Sequence, residues 1–320
     1  MRAFVALAAG LAVAVATTPL AAAVARRLDV MDHPGPLKVH AVAVPYLGGL
    51  AVFCALLPGV GWARPGLLVP IAIALLLGLV DDAVEVPPRV RLLAEVGVGA
   101  TAGLVVPTRL PDVVGPVAVA VAVVVLINAV NLIDGLDGLA SGVACVSAVG
   151  FAALLVGDSQ VVALALAGAL AGFLLFNRPP ARIYLGDAGA YLLGTALALL
   201  LALSWDREGR LSVPVAALLL VAVPVLDTGV AVLRRMRAGQ PLFVGDRGHV
   251  YDQLVDRGWS APRAAAVLVL LQAVLAAVAA AAAHLPTGPA TAVVVLSLAA
   301  LVVLAAAGGF LATTYRRTTS

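Results

Sequence analysis

Acidic residues stand where the apolar runs of this chain end, and their spacing suits phosphate and cation chemistry. Asp81-Asp82 closes one run; Asn128, Asn131, Asp134 and Asp137 crowd the exit of another; Asp187 lies in a Gly-Asp-x-Gly turn; Asp227 and Asp246 flank a basic stretch. A carboxylate near a bilayer costs about 2.5 kcal/mol or more without a partner or water, so such residues are functional candidates by default. Adjacent like charges repel, and the repulsion turns favourable once a divalent cation or a cationic substrate lies between them. A helix C-terminus also disfavours anions, which leaves Asp81-Asp82 poorly explained by solvation alone.

Asn128 and Asn131 share a helix face at i, i+3, and Gly135 and Gly138 let the backbone turn away or approach a ligand closely. Asp137 has a plainer reading as the N-cap of the next helix, yet two amides and two carboxylates exceed what one cap needs. Asp187 suits Mg²⁺, which typically takes one or two protein carboxylates plus phosphate oxygens and water; an Asx turn is the rival. Asp246-Arg247-Gly-His249 places an acid, a base and an imidazole within four residues, a set suited to diphosphate recognition through charge-assisted bonds. Lys38 stands in a proline-rich turn region with His33 and His40, able to contact a phosphate or a base. Arg234, Arg235 and Arg237 read as a membrane anchor.

These residues need long apolar elements to hold them. The chain is 63% hydrophobic and 12% charged, with a mean hydropathy of +1.11. A spanning helix needs roughly 20 mainly apolar residues. Eleven candidate runs occur, near 3–25, 46–60, 67–81, 92–107, 114–131, 139–157, 160–176, 189–205, 212–233, 262–283 and 290–312. The first leads straight into further spans and lacks a clear cleavage site, so it reads as a retained helix. The expected fold is all-α: one integral membrane domain over residues 1–320, with about eleven transmembrane helices.

Of the twenty lysines and arginines, Arg2, Arg64, Arg109, Arg207 and Arg210 fall on one side and the other fifteen on the opposite side. The basic side is cytoplasmic by the positive-inside rule, giving an outer N-terminus and a cytoplasmic C-terminus. The basic balance thus reflects topology, and no nucleic-acid partner is expected. Thirteen of the seventeen acids share the cytoplasmic side, which the rule for basic residues does not demand. Cys54 and Cys145 lie within helices and read as small buried hydrophobes. The outer loops are too short to hold a site. The residues therefore imply a divalent metal, a phosphate-bearing cytoplasmic substrate and a second substrate arriving from the bilayer. A secondary transporter is the rival, but transporters place their charges near the midplane on broken helices, whereas these acids stand at helix ends.

Five ordered motifs over residues 29–254 resemble the polyprenyl-phosphate sugar-1-phosphate transferase family. They are Asp32-His33-Pro34 with Lys38-Val-His40 and Gly48-Gly49; Val80-Asp81-Asp82; Asn128 to Ala140; Asn177 with Pro180 to Gly189; and Asp246-Arg-Gly-His249. The resemblance implies transfer of a sugar-1-phosphate, N-acetylglucosamine-1-phosphate being the expected one, from a UDP-sugar to a polyprenyl phosphate. Polyprenyl-diphospho-sugar and UMP would result, as the first membrane step of a bacterial cell-envelope glycan pathway. UDP-N-acetylmuramoyl-pentapeptide or another UDP-N-acetylhexosamine is the alternative donor.

By resemblance, Asp187 would hold Mg²⁺, with Mn²⁺ as an alternative, and Asp81, Asp82 and His249 would be catalytic. Lys38, Asn128, Asn131, Asp134, Asp137, Asn177, Asp246 and Arg247 would bind substrate. The family's members include eleven-span proteins and leave a homodimer open. This chain departs from the common pattern at Leu37, Arg91, Glu95, Ala190 and Tyr251. A phosphate monoester has a second pKa near 6, so the acceptor arrives mostly dianionic at neutral pH. Asp81 is therefore read as positioning the lipid phosphate more than as a general base.

Overall fold

The computed structural model describes residues 1–33, 42–84, 86–205, 210–241 and 248–312. Each apolar run in the sequence falls on helix. The helices are α1 (Arg2–Arg27), α2 (Gly48–Ala63), α3 (Leu68–Val84), α4 (Pro88–Val105), α5 (Val114–Ile133), α6 (Leu139–Leu154), α7 (Gly157–Asn177), α8 (Gly186–Ser204), α9 (Ser212–Ala217), α10 (Ala222–Arg237), the short α11 (Val250–Asp256), α12 (Ala261–Ala282) and α13 (Thr287–Ala307). Among the described residues, eight spans are long and apolar enough to cross a membrane, α9 and α10 counting as one through the 3₁₀ turn between them. Helices α2 and α6 are shorter, and α4 carries Arg89, Arg91 and Glu95. Among the described residues, strand is confined to a two-stranded antiparallel ribbon pairing Met31 with Pro45 and Asp32 with Val44.

Helix α8 forms the centre. All of its residues are buried apart from Gly186, Asp187 and Leu201, and it packs against α2, α3, α5 and α6. Small residues make this possible, because close helix approach in a membrane needs backbones that can touch. A methyl group at Gly78 of α3 would run into the backbone of Ala188, and one at Gly49 of α2 into that of Gly189. The first turn of α8 is thereby wedged between α2 and α3. Backbone bonds fasten the same place: Gly48 and Gly49 donate to the carbonyls of Tyr184 and Leu185, each at 3.0 Å, and Tyr184 donates to Pro45 at 2.8 Å.

One spanning element is broken. Between α9 and α10, residues Leu218–Val221 tighten into a 3₁₀ turn, with Pro214 and Pro224 on either side. Such a break frees backbone groups that lipid cannot satisfy. Gln272 of α12, fully buried, repairs it by donating to the Leu219 carbonyl (3.1 Å) and accepting from the Val223 amide (3.3 Å). The repair sets the direction of α10 one turn before Asp227.

Candidate active site

Antiparallel packing brings one end of each long helix to a common face, and the acidic motifs meet there. At its centre Asn131, on the last turn of α5, donates from Nδ2 to Asp187 Oδ1 at 2.6 Å. Asp187 lies in the first turn of α8, where the helix dipole favours a carboxylate. Its own amide donates to Asp82 Oδ1 (2.9 Å), and the Ala188 amide donates to Asp82 Oδ2 (3.1 Å). Asp82, reaching across from α3, thus caps α8 and fixes where Asp187 stands. Gly186 takes a φ of +69° at this entry, where an added Cβ would run into Asp82 and the Tyr46 carbonyl.

Neighbouring Asp81 faces elsewhere, as positions about 100° apart on a helix must. It is 5% exposed and accepts from the Tyr191 hydroxyl and from the Val86 amide at 2.7 Å, with Arg91 Nη1 3.5 Å away. Arg91 continues to Glu95 at 3.8 Å, and Glu95 accepts from Asn128. Asn128 and Asn131, one turn apart, therefore reach different neighbours: Asn128 ties α5 to α4, while Asn131 reaches the acid cluster.

Asp137 does not cap the following helix. The N-cap of α6 is Gly138, at φ +71° with no side-chain cap, and Asp137 Oδ2 instead accepts from the Ala181 amide at 2.8 Å. Asn177 is buried, accepting from Ser141 and donating to the Ile183 carbonyl at 3.0 Å. Both residues clamp the loop that leads into Asp187. Burial, then the charges of Asp187, Asp82 and Asp137, push the Asp134 carboxyl well above the usual carboxylate range. Tyr184 is raised by burial first and by Asp137 next, and Tyr46 by burial, then Asp82, Asp32 and Asp187. Asp134 thus stands among three other carboxylates, an excess of acid on one face.

That excess is what a cation would relieve. Among the described residues no three acid, histidine or cysteine side chains stand close enough to hold a metal alone. Asp187 and Asp134 are close enough for their charges to interact, and Mg²⁺ in general completes a sparse protein shell with phosphate oxygens and water.

On the far rim, His249 precedes α11 and its Nδ1 lies 2.6 Å from Asp227 Oδ2. Tyr251 stacks on the His249 ring at 5.8 Å between centroids and donates its hydroxyl to the Leu132 carbonyl at 3.2 Å. Arg234 and Arg235, expected as a membrane-surface anchor, are 6% and 5% exposed, and the Arg234 guanidinium lies directly under Gly248. A basic run at a helix end reads as surface from sequence, but here the backbone just before α11 lies against Arg234. Lys38, His40, Asp246 and Arg247 lie outside the described residues. Sequence reasoning marks Asp227 as a functional candidate without a specific role, and it does not single out Tyr191 or Tyr184. Tyr191 follows Asp187 at i+4, on one helix face, and Asp227 is a lone acid in an apolar stretch, the pattern that marks functional positions in membranes.

Known proteins bear on this arrangement. The family model for glycosyl transferase family 4 matches residues 65–205, the segment from α3 through α8. A Bacillus subtilis (strain 168) protein named probable undecaprenyl-phosphate N-acetylglucosaminyl 1-phosphate transferase is 30% identical over 280 residues, covering 79% of this chain and 77% of the relative. A Mycobacterium leprae decaprenyl-phosphate N-acetylglucosaminephosphotransferase is 29% identical, covering 82% of this chain and 79% of the relative. The Escherichia coli (strain K12) undecaprenyl-phosphate alpha-N-acetylglucosaminyl 1-phosphate transferase is 28% identical, covering 78% and 75% respectively. With apolar helices throughout, acidic ends gathered on one face and relatives aligned over most of its length, the chain is an all-α polytopic membrane protein that belongs to glycosyl transferase family 4.

Proposed function

We propose that the protein transfers N-acetylglucosamine-1-phosphate from UDP-N-acetylglucosamine to a polyprenyl phosphate. An oxygen of the lipid phosphate attacks the β-phosphorus, the bond from that phosphorus to the bridging oxygen breaks, and UMP leaves with it. The observation that carries the reading is the junction of Asn131, Asp187 and Asp82, which gathers polar side chains of three helices on one face of an apolar bundle. The names of the relatives support the sugar and the lipid.

Asp187 and Asp134 would hold Mg²⁺, which would neutralise charge on the diphosphate. Asp82 keeps Asp187 in place through the two amides of α8, and Asn131 orients its carboxylate. Asp81 is engaged by Tyr191, Val86 and Arg91, which suits a positioning role near the acceptor. His249 offers its remaining ring nitrogen to the donor. An acceptor that is already dianionic needs placement and charge neutralisation more than proton removal. The reaction face is assigned to the cytoplasm from the arginine bias.

Purified protein in lipid nanodiscs, given labelled UDP-N-acetylglucosamine, undecaprenyl phosphate and Mg²⁺, should move label into an organic phase and release UMP in equal amount. Excess EDTA should stop both, and Asp187→Asn should abolish turnover while leaving the fold intact. Label that stays aqueous with this donor, but moves with another UDP-sugar, would reassign the donor.

A further inference from the structure

We infer that Asp227 is a positioning residue that sets which nitrogen of His249 faces the substrate. The inference rests on the transferase reading above for its functional meaning, and on geometry alone for its structural half. Asp227 is 4% exposed and His249 3%. Asp227 Oδ1 accepts from the Val250 amide at 2.7 Å, and Oδ2 lies 2.6 Å from His249 Nδ1. A carboxylate only accepts, so Nδ1 carries the proton and donates it. Nε2 is then the one ring atom able to bond to a ligand, and it has no partner among the described residues.

A structural role alone explains the pair poorly. Removing two polar groups from water is expensive, and an apolar pair of similar volume is often as stable or more so. Satisfying the Val250 amide needs one oxygen; the second is aimed at the ring. The ring is also held flat by Tyr251, whose hydroxyl bonds to Leu132, one residue from Asn131. A methyl group on Gly135 would strike the Tyr251 hydroxyl, so the imidazole assembly is seated directly on the Asn131–Asp134 turn. His249 is thus fixed in tautomer by Asp227 and in place by Tyr251, with Nε2 left for the donor's diphosphate or sugar.

The Asp227→Asn variant makes a specific test. An asparagine side chain has one acceptor oxygen, and the Val250 amide can only donate. That oxygen must therefore serve Val250, which turns the asparagine NH₂ toward His249 Nδ1. The ring proton then moves to Nε2 while size and packing are preserved. In protein labelled with ¹⁵N-histidine, wild type should show a protonated Nδ1 for His249, and Asp227→Asn a bare Nδ1 with a protonated Nε2. The chain has only four histidines, so a His249→Gln spectrum assigns the signals.

In the transferase assay, Asp227→Asn should lower kcat by about 10²-fold or more with KM less affected. On a His249→Ala background the same change should cost almost nothing further. A bare Nδ1 in wild type, an unaltered ring in Asp227→Asn, or fully additive losses would each overturn the inference. The wild-type spectrum tests the structural half even if the variant does not fold. If wild type makes no lipid-linked product while the tautomers behave as stated, it is the transferase reading that fails.

Discussion

At the scale of single residues, the site is defined by how carboxylate oxygens are shared. Asp82 uses one oxygen for each of two consecutive amides of α8. Asparagine there leaves an NH₂ facing an N–H, and an orphaned buried group costs about 1–3 kcal/mol. Asp82→Asn should lower both Tm and kcat, and raising the pH should not restore the rate, since no proton transfer is lost. A rate recovered at alkaline pH would instead make Asp82 a base. Asp134 makes the pH case. Burial and three neighbouring carboxylates raise its pKa above the unfolded value of about 3.9. Its contribution to stability is therefore full below about pH 4 and is lost as pH rises through the raised value. In EDTA, the Tm of the wild type should fall across that window. Asp134→Asn should flatten the fall, raise Tm near neutrality and abolish activity; an unchanged slope would count against the acid cluster.

At the scale of elements, two devices aim the site. The wedge of α8 against Gly49 and Gly78 sets how deep its first turn sits, and the Gln272 splice sets how α10 presents Asp227. Gln272→Leu keeps the volume but orphans the Leu219 carbonyl and the Val223 amide, at about 1–3 kcal/mol each. The variant should melt several degrees lower and lose kcat through a shifted Asp227. Unchanged activity with a lowered Tm would separate the break from the chemistry. Helix positions are legible from hydropathy, since every apolar run lies mainly on helix. The break is not, because LLLVAVPVL is uniformly apolar and its rescue comes from a glutamine some fifty residues away. For the same reason Asp137 reads as a local cap: sequence shows the helix that follows it, not the Ala181 amide brought beside it. Asp81, Asp82, Asn131 and Asp187 are legible because charged and amide side chains are rare in such a chain. Their division of labour is not, since it depends on which helix faces which.

At the scale of the whole molecule, the acidic helix ends share one face and fifteen of the twenty basic residues are assigned to it. The proposed orientation puts that face in the cytoplasm. An Arg182→Cys variant, on a background with Cys54 and Cys145 replaced by alanine, should react with a membrane-impermeant maleimide in inverted vesicles only. Labelling from the periplasmic or outer side would reverse the topology.

The centre is also discontinuous in the chain. Asp81, Asp82, Asn131, Asp134 and Asp137 precede the turn at Leu155–Val156 that joins α6 to α7, while Asp187, Asp227 and His249 follow it. During co-translational insertion the ribosome has therefore delivered the acid-rich half well before the residue that Asp82 caps. A half-built protein would lack part of the proposed centre. The same division makes the enzyme separable: fragments 1–155 and 156–320, silent when expressed singly, should regain transferase activity when produced together, because the packing of α7 on α6 and of α8 on α3 and α5 can rejoin them without a peptide bond.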